Sequence, residues 1–267
     1  MPSILDKIFA AKRDELSERR ARVSLNEIIE ASHHAPPPRD FIGALRSKSP
    51  AIIAEIKRAS PSKGDILPGL DPASVARGYA AAGAAAISVL TDRHFKGSLD
   101  DLRAARAAVD LPLLRKDFIF DEYQLYEARA AGADCILVIA AMLRQDHLAV
   151  LIHRAKELSL ATLVEVHDQA EFSLVQSLDA ELIGINNRDL HTFKTDIATT
   201  EQLLKDYSGN ALIVSESGIE SAVDIARLSN AGARAFLIGE SLLKAGHPQE
   251  SLAILTRPSE HSADVAP

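Results

Sequence analysis

Cysteine is almost missing: Cys135 stands alone in 267 residues. An internal disulfide and a cysteine zinc cluster are thereby excluded, and a reducing compartment is expected. Tryptophan is absent and aromatic residues make up only 4%, so a base-stacking platform for nucleic acid has no material. Positive charge is the minority sign, with 30 Lys and Arg against 37 Asp and Glu and a net charge of −7. A non-specific nucleic-acid binder needs the opposite balance, because basic groups must displace counterions. Long apolar runs are lacking too. Charges interrupt the opening stretch Met1-Pro-Ser-Ile-Leu-Asp-Lys-Ile-Phe-Ala and the Ala-Lys-Arg-Asp-Glu after it, so neither a signal peptide nor a membrane span is expected. These absences point to a cytoplasmic protein with no nucleic-acid or membrane partner.

What the chain does have is aliphatic and regular. Hydrophobic residues make up 47% and charged ones 25%, an ordinary globular balance, and alanine is about one residue in six. The first fifty residues read as helices. Ile4, Leu5, Ile8, Phe9 and Leu16 recur at helical spacing, predicting an amphipathic helix over 3–20. Ser24 with Glu27 three residues on forms a capping box for a second helix, which Pro36-Pro37-Pro38 ends. Asp40 opens a third, short helix through Ala44 and Leu45.

From residue 51 a unit repeats: a short apolar β-rich run, a polar loop, an Ala-rich helical stretch. The apolar runs fall at 51–57, 85–91, 111–115, 134–140, 161–166, 182–186, 211–215 and 235–239. Ala-Gly-Ala at 82–84, 131–133 and 231–233 places a helix-terminating Gly just before a strand. Eight βα units in about 200 residues match a closed (β/α)8 TIM barrel, of the α/β class, with an extra N-terminal helical segment. An open doubly wound sheet would show a G-x-G-x-x-G loop after its first strand, and none is present. We expect one barrel domain over 1–257, with residues 1–50 as its helical extension and 258–267 as a loose tail.

Such a barrel carries its site at the C-terminal ends of the strands. Those ends are rich in ionisable residues: Glu55-Ile-Lys57-Arg-Ala-Ser60-Pro-Ser-Lys63-Gly64, Thr91-Asp92, Arg115-Lys116-Asp117-Phe118, Glu165-Val-His167, Asn186-Asn187-Arg188-Asp189, Ser215-Glu216-Ser217-Gly218 and Gly239-Glu240-Ser241. Strand alternation puts Glu55 and Lys57 on one face, and sets Lys116 and Glu165 in line with Leu114 and Leu163. If those faces point inward, lysines and carboxylates converge on the barrel mouth, where unpaired charge is costly unless it meets a charged substrate. A structural Glu55–Lys57 ion pair is the plainer alternative for those two. Ser217-Gly218 after the seventh run and Gly239-Glu240-Ser241 after the eighth suit a phosphate, with Glu240 contributing only its backbone.

Metal is not expected, because the nine histidines show no ligand spacing at the strand ends. His167 is assigned the face opposite Glu165. Cys135 opens the fourth run, away from the rim, and reads as a buried thiol.

These residues carry a resemblance. Ala54-Glu-Ile-Lys-Arg-Ala-Ser-Pro-Ser-Lys-Gly64 resembles the signature of the indole-3-glycerol phosphate synthase family of tryptophan biosynthesis. Ser88-Val-Leu-Thr-Asp92 with Phe95-Lys-Gly-Ser98, Leu114-Arg-Lys-Asp-Phe118, Leu163-Val-Glu-Val-His167, Gly184-Ile-Asn-Asn-Arg-Asp-Leu190, Ser215-Glu-Ser-Gly-Ile219 and Leu237-Ile-Gly-Glu-Ser241 are similar to it in order. The likeness spans about residues 3 to 246 and includes Ile4-Leu-Asp-Lys-Ile8.

The resemblance implies a cofactor-free carboxy-lyase. It converts 1-(2-carboxyphenylamino)-1-deoxyribulose 5-phosphate into indole-3-glycerol phosphate, carbon dioxide and water. It further implies Lys116 as general acid, Glu165 in the dehydration, Lys57 as the cation for the substrate's anionic groups, and Glu55 and Glu216 as positioning carboxylates. Asn186 and Arg188 would orient the substrate, and Ser60 would lie on a covering loop that closes at 60–69. Phe95 and Phe118 would wall the anthranilate ring. Ser217, Gly218, Gly239, Glu240 and Ser241 would hold the phosphate. The first two helices would pack over the mouth, the alternative being an oligomerisation arm.

Two other readings compete. A phosphoribosylanthranilate isomerase-like barrel would use a Cys and an Asp for proton transfer, and no Cys lies at a strand's C-terminal end. A non-catalytic barrel that binds phosphorylated metabolites would have no use for Lys116, Glu165 and Glu55 together. Transient contact with other enzymes of the tryptophan pathway is compatible with the synthase reading, and no sequence feature decides it.

Overall fold

The computed structural model describes residues 4–60, 64–65, 69–189, 192–244 and 248–255. Eight short runs form parallel strands: β1 Ala51–Ile56, β2 Ala86–Leu90, β3 Leu113–Lys116, β4 Cys135–Ile139, β5 Ala161–Val166, β6 Leu182–Asn186, β7 Leu212–Glu216 and β8 Ala235–Ile238. Each pairs with its sequence neighbours, and β8 returns to β1, so the sheet closes into a barrel. Closure leaves no unpaired edge. A small antiparallel hairpin, Ala59–Ser60 with Gly64–Asp65, stands in the loop after β1.

A helix follows every strand. After β1 comes α4 Pro72–Ala81, then α5 Leu99–Ala108, α6 Glu122–Ala130, α7 Gln145–Glu157, α8 Gln169–Gln176, α9 Ala198–Leu204 and α10 Ala222–Ala231; α11 Glu240–Lys244 and α12 Pro248–Leu255 follow β8. Their starts are chemically marked. Asp71, Ser98, Asp121, Asp168 and Ser221 each accept a backbone N–H of the first turn. Gly83, Gly132 and Gly232 adopt φ of 90°, 89° and 115° before the following strands, a conformation that suits Gly and ends a helix.

Strand alternation separates two cores. Outward residues such as Ile52, Ile87, Ile136, Val164, Ile183 and Phe236 pack under the helices. Inward residues such as Ala51, Ile53, Leu114, Leu137, Leu163, Val214 and Leu237 fill the barrel. Cys135 belongs to that filling. It is buried, and burial pushes its thiol up, so it is inert packing.

The N-terminal segment comprises α1 Ile4–Arg22, α2 Leu25–His34 and α3 Phe41–Arg46. The Ser24–Glu27 capping box forms as expected. The path of the segment differs from the expectation that two helices cover the mouth. Among the described residues of the segment, α1 is the helix that reaches the C-terminal rim, where Lys12 contacts Asp92 and Asp117 beyond β2 and β3. α2 descends along α6 on the barrel's outside. The chain then reaches the opposite end, where the Arg39 N–H donates to Asp134 at 2.7 Å. Phe41 and Leu45 of α3 join the inward core among the strand starts Ala51, Ala85 and Ala235. Those starts are small, and two large side chains fill the space they leave. The tail predicted at 258–267 lies outside the described residues.

Candidate active site

The inward side chains change character along the strands. Above the aliphatic layers stand Glu55 from β1, Lys116 from β3, Glu165 from β5, Asn186 from β6 and Glu216 from β7. All lie at the C-terminal ends and share the parity of the inward aliphatics. Lys57 follows at the next inward position, with its Nζ 2.9 Å from Glu55 Oε1. Lys116 Nζ sits 3.0 Å from Glu165 Oε2 and 3.2 Å from Glu216 Oε2. Asn186 Nδ2 donates to Glu165 Oε1 at 3.0 Å. The barrel thus brings together the six residues expected to be catalytic.

Two glycines make the room. A side chain at Gly184 would meet Glu216 Oε1 at 2.2 Å, and one at Gly239 would meet Glu55 Oε1 at 2.5 Å. Any larger residue at either position would displace a carboxylate of the cluster.

The electrostatics follow from crowding charges in a buried place. Burial works against the Lys116 ammonium, but Glu165, Glu216 and Glu55 outweigh it and hold its pKa above the ordinary lysine range. Burial also opposes the Glu165 carboxylate. Lys116, His167 and Asn186 overcome that and keep it well below the usual carboxylate range. Glu216 is the loser in this competition. Burial and the nearby Glu165 raise it to about 7 against the pull of Lys116. Its Oε1 has no hydrogen-bond partner among the described residues, nor has the buried hydroxyl of Ser88 beside β1.

The remaining predicted residues surround this cluster in the loops. Arg188 donates to Thr195 at 3.2 Å and lies 3.7 Å from Glu240. The side chain of Glu240 is thus engaged with Arg188. Ser217 and Gly218 both take positive φ, 67° and 79°, and the Ser217 carbonyl accepts from Asn187 Nδ2 at 3.0 Å. The Ser241 hydroxyl donates to the Ile219 carbonyl at 2.9 Å, tying the loop after β7 to α11. Phe118 is half-buried against the inward core, and Phe95 is half-buried in a 3-10 turn beside the hairpin after β1. Of the predicted covering loop, Gly64 and Gly69 take positive φ. The Ser60 side chain and residues 61–63 and 66–68 lie outside the described residues.

Other strand-end charges do not join the mouth. Arg115 and Asp117 alternate with Lys116 and point outward. Arg115 reaches Asp117 at 3.1 Å, Glu127 of α6 at 2.8 Å and the Gln124 carbonyl at 3.0 Å. Asp117 also accepts from Thr91 at 2.8 Å and binds Lys12 at 2.8 Å. Lys12 is 2% exposed and bridges Glu15, Asp92 and Asp117. Glu15, Asp92 and His94 bring three ligand atoms together, and the Lys12 ammonium supplies the cation there. No sequence signal announces this network, because Lys12, Asp92, Asp117 and Glu127 are far apart in the chain.

The position of His167 corrects an expectation. It does not lie opposite Glu165: the two are two positions apart and share a face. Its Nε2 lies 3.2 Å from Glu165 Oε1 and its Nδ1 3.1 Å from Glu171 Oε2.

Comparison with known proteins gives the family. The sequence pattern of the family described as indole-3-glycerol phosphate synthase matches residues 5–255. The chain belongs to that family. Relatives named indole-3-glycerol phosphate synthase include one from Acidithiobacillus ferrooxidans, 49% identical over 94% of this chain and 98% of the relative. Another, from Polaromonas naphthalenivorans, is 47% identical over 96% and 99%. A third, from Streptomyces griseus, is 45% identical over 98% and 97%. Among solved structures, a tryptophan synthase complex from Pyrococcus furiosus matches with TM-score 0.59 at 13% identity, covering 78% of this chain and 98% of that one. A thiamine phosphate pyrophosphorylase from the same organism matches with TM-score 0.58 at 14% identity, covering 79% and 95%. At that identity the structural likeness speaks for the barrel alone.

Proposed function

We propose that the inward polar layer carries out the family's reaction, the closure, decarboxylation and dehydration of 1-(2-carboxyphenylamino)-1-deoxyribulose 5-phosphate. The chain is an enzyme of tryptophan biosynthesis and a carboxy-lyase, as its family membership establishes. The observation that carries the site assignment is Lys116, an ammonium held charged between Glu165 and Glu216 at the barrel mouth.

In ring closure the aromatic carbon bearing the carboxylate attacks the ketone carbon. The C–C bond forms as the carbonyl π pair moves to oxygen, and Lys116 gives that oxygen a proton. The C–C bond to the carboxylate then breaks, carbon dioxide leaves, and its electron pair restores the aromatic ring. Loss of the new hydroxyl as water requires an acid, and a base must take a proton from the ring CH2 beside the nitrogen, so that its C–H pair becomes the new C=C bond while the N–H is retained. Glu165, an oriented carboxylate beside Lys116, serves as that base.

Lys57 binds an anionic group of the substrate, with Glu55 holding its ammonium in place. Glu216 positions Lys116, and Asn186 positions Glu165. Arg188 orients the substrate from the loop after β6, and Ser60 approaches it from the covering loop. Phe118 and Phe95 wall the anthranilate ring. Ser217, Gly218, Gly239 and the backbone N–H groups of Glu240 and Ser241 receive the phosphate, where positive φ at Ser217 and Gly218 turns the chain sharply. As an enzyme of amino-acid biosynthesis it is placed in the cytoplasm; no helix among the described residues is long and apolar enough to cross a membrane. Passing contact with neighbouring enzymes of the pathway suits that location.

The test is direct. The purified chain, dialysed against a chelator, is mixed with the carboxyphenylamino substrate and indole fluorescence is followed. Indole-3-glycerol phosphate should form at an undiminished rate. Absence of product at saturating substrate contradicts the reading.

A further inference from the structure

Glu165 is held from three sides. Lys116 takes Oε2 and Asn186 takes Oε1. The third neighbour is His167, two residues on along the same strand face. We propose that His167, clamped from behind by Glu171, is a positioning residue that keeps Glu165 oriented and ionised for the reaction, an inference that rests on the role assigned to Glu165.

The imidazole bridges two carboxylates, with Nε2 3.2 Å from Glu165 Oε1 and Nδ1 3.1 Å from Glu171 Oε2. Facing a carboxylate with each nitrogen is favourable only when both nitrogens carry hydrogen, so the ring is an imidazolium. Burial opposes that charge, but the carboxylates of Glu165 and Glu171 prevail and raise the pKa to about 10. Nε2 has no aligned hydrogen bond among the described residues, so it meets Glu165 as an ion pair.

Glu171 is itself fixed. It lies in the first turn of α8, its N–H donates to the capping Asp168 at 2.9 Å, and its Oε2 also accepts the His167 backbone N–H at 2.8 Å. The ring is thus anchored at its backbone and at its outer nitrogen, leaving the inner nitrogen aimed at Glu165. The charged groups around the pair are Lys116 from β3, Glu216 from β7 and Glu171 from α8, with neutral Asn186 from β6. His167 is the one of these that adds positive charge beside Glu165 without contacting Glu216 in any pairing of the described residues. Removing it leaves Glu165 with one cation that Glu216 also claims, and its proton affinity rises.

The experiment compares His167→Ala, His167→Gln, Glu171→Gln and Glu165→Gln by kcat and KM between pH 3 and 9, a range that reaches below the ordinary carboxylate value, where the Glu165 limb falls, and separates it from that of Glu216 near 7. In His167→Ala, kcat should fall about tenfold with KM changed less than about threefold, and the acid limb should move up by about one pH unit. His167→Gln, whose amide still donates, should recover part of kcat while keeping the displaced limb. Glu171→Gln should displace the limb less, in the same direction.

An acid limb that stays in place in the His167 variants overturns the inference, even if kcat falls, since a merely structural role would lower kcat alone. If His167→Ala does not fold, His167→Gln and Glu171→Gln decide by the same limb. Glu165→Gln separates the two levels. Wild-type turnover there would overturn the role of Glu165 itself. Loss of turnover there, with unmoved limbs in the His167 variants, would overturn only this proposal.

Discussion

Two charged clusters meet at β3 and have opposite fates. Lys116, Glu165, Glu216, Glu55 and Lys57 face into the barrel mouth, while Arg115, Asp117, Glu127, Asp92 and Lys12 lie outside it between the rim, α1 and α6. Both are buried and both mix lysine or arginine with carboxylates. The outer cluster is closely paired, and its one atom without a hydrogen-bond partner among the described residues, Asp92 Oδ2, lies against the Lys12 ammonium. Arg115 has four polar neighbours, Thr91, Gln124, Asp117 and Glu127, and Lys12 has three carboxylates. The inner cluster leaves Glu216 Oε1 and the Ser88 hydroxyl without hydrogen-bond partners among the described residues and drives Glu216 up to about 7. Carboxylates each matched to a cation mark a network that fixes structure, and a carboxylate pushed up by its neighbours marks one arranged for a substrate. One residue of strand alternation, Arg115 to Lys116, separates the two.

The largest effect expected from the outer cluster is on stability. Arg115→Met strands Asp117 and Glu127 in a buried place and should cost about 3–5 kcal/mol in denaturant unfolding. A loss below about 1 kcal/mol would mean that these ion pairs do not fix the structure. The same network should make the fold acid-sensitive. Burial raises the proton affinity of Asp117, but Arg115 and Lys12 more than offset it and hold it below its ordinary value of 3.8. Its contribution is therefore full above the unfolded-state value and lost as pH falls below it. Melting temperature against pH checks this.

A smaller effect is expected at the mouth from Lys57→Ala. Losing a charge-assisted contact to a substrate anion should raise KM about 10- to 100-fold. An unchanged KM would remove Lys57 as the anion anchor.

The smallest effect has the opposite sign. Glu216 carries a folded pKa of about 7 against an ordinary 4.5, so wild-type stability falls as pH rises through that window. Glu216→Gln, which mimics the neutral acid, should therefore be more stable than wild type above pH 7 and indistinguishable below 4.5. A stability difference that does not change with pH would contradict the strain assigned to this carboxylate.

Much of this arrangement is legible in the chain itself. Eight apolar runs, the Ser24–Glu27 capping box and the three Ala-Gly-Ala joins are local signals, written within a few residues of the structure they specify. The parity of Glu55 with Lys57, and of Lys116 with Leu114, is local too, and it locates the inner cluster. What escapes is long-range or depends on a partner. Lys12 shows nothing in sequence to separate it from a solvated helix charge. Its burial depends on Asp92 and Asp117, about 80 and 105 residues away. The descent of α2 along α6 and the plug formed by Phe41 and Leu45 depend likewise on distant surfaces. Glu240 taken alone gives no hint of Arg188, which turns it into an ion-pair partner. His167 is within reach of the sequence, since residues two apart on a strand share a face.

Arg115 and Lys116 are adjacent in the chain and opposite in the fold, so the most direct measurement is turnover at saturating substrate in Lys116→Ala and Arg115→Met, each expressed per folded molecule. Removing the general acid should lower kcat by about 10²- to 10⁴-fold. Arg115→Met, on the outer face, should retain kcat within about threefold of wild type despite its lost stability. Comparable turnover in the two variants, or a greater loss in Arg115→Met, would contradict the division between a catalytic inner face and a structural outer one.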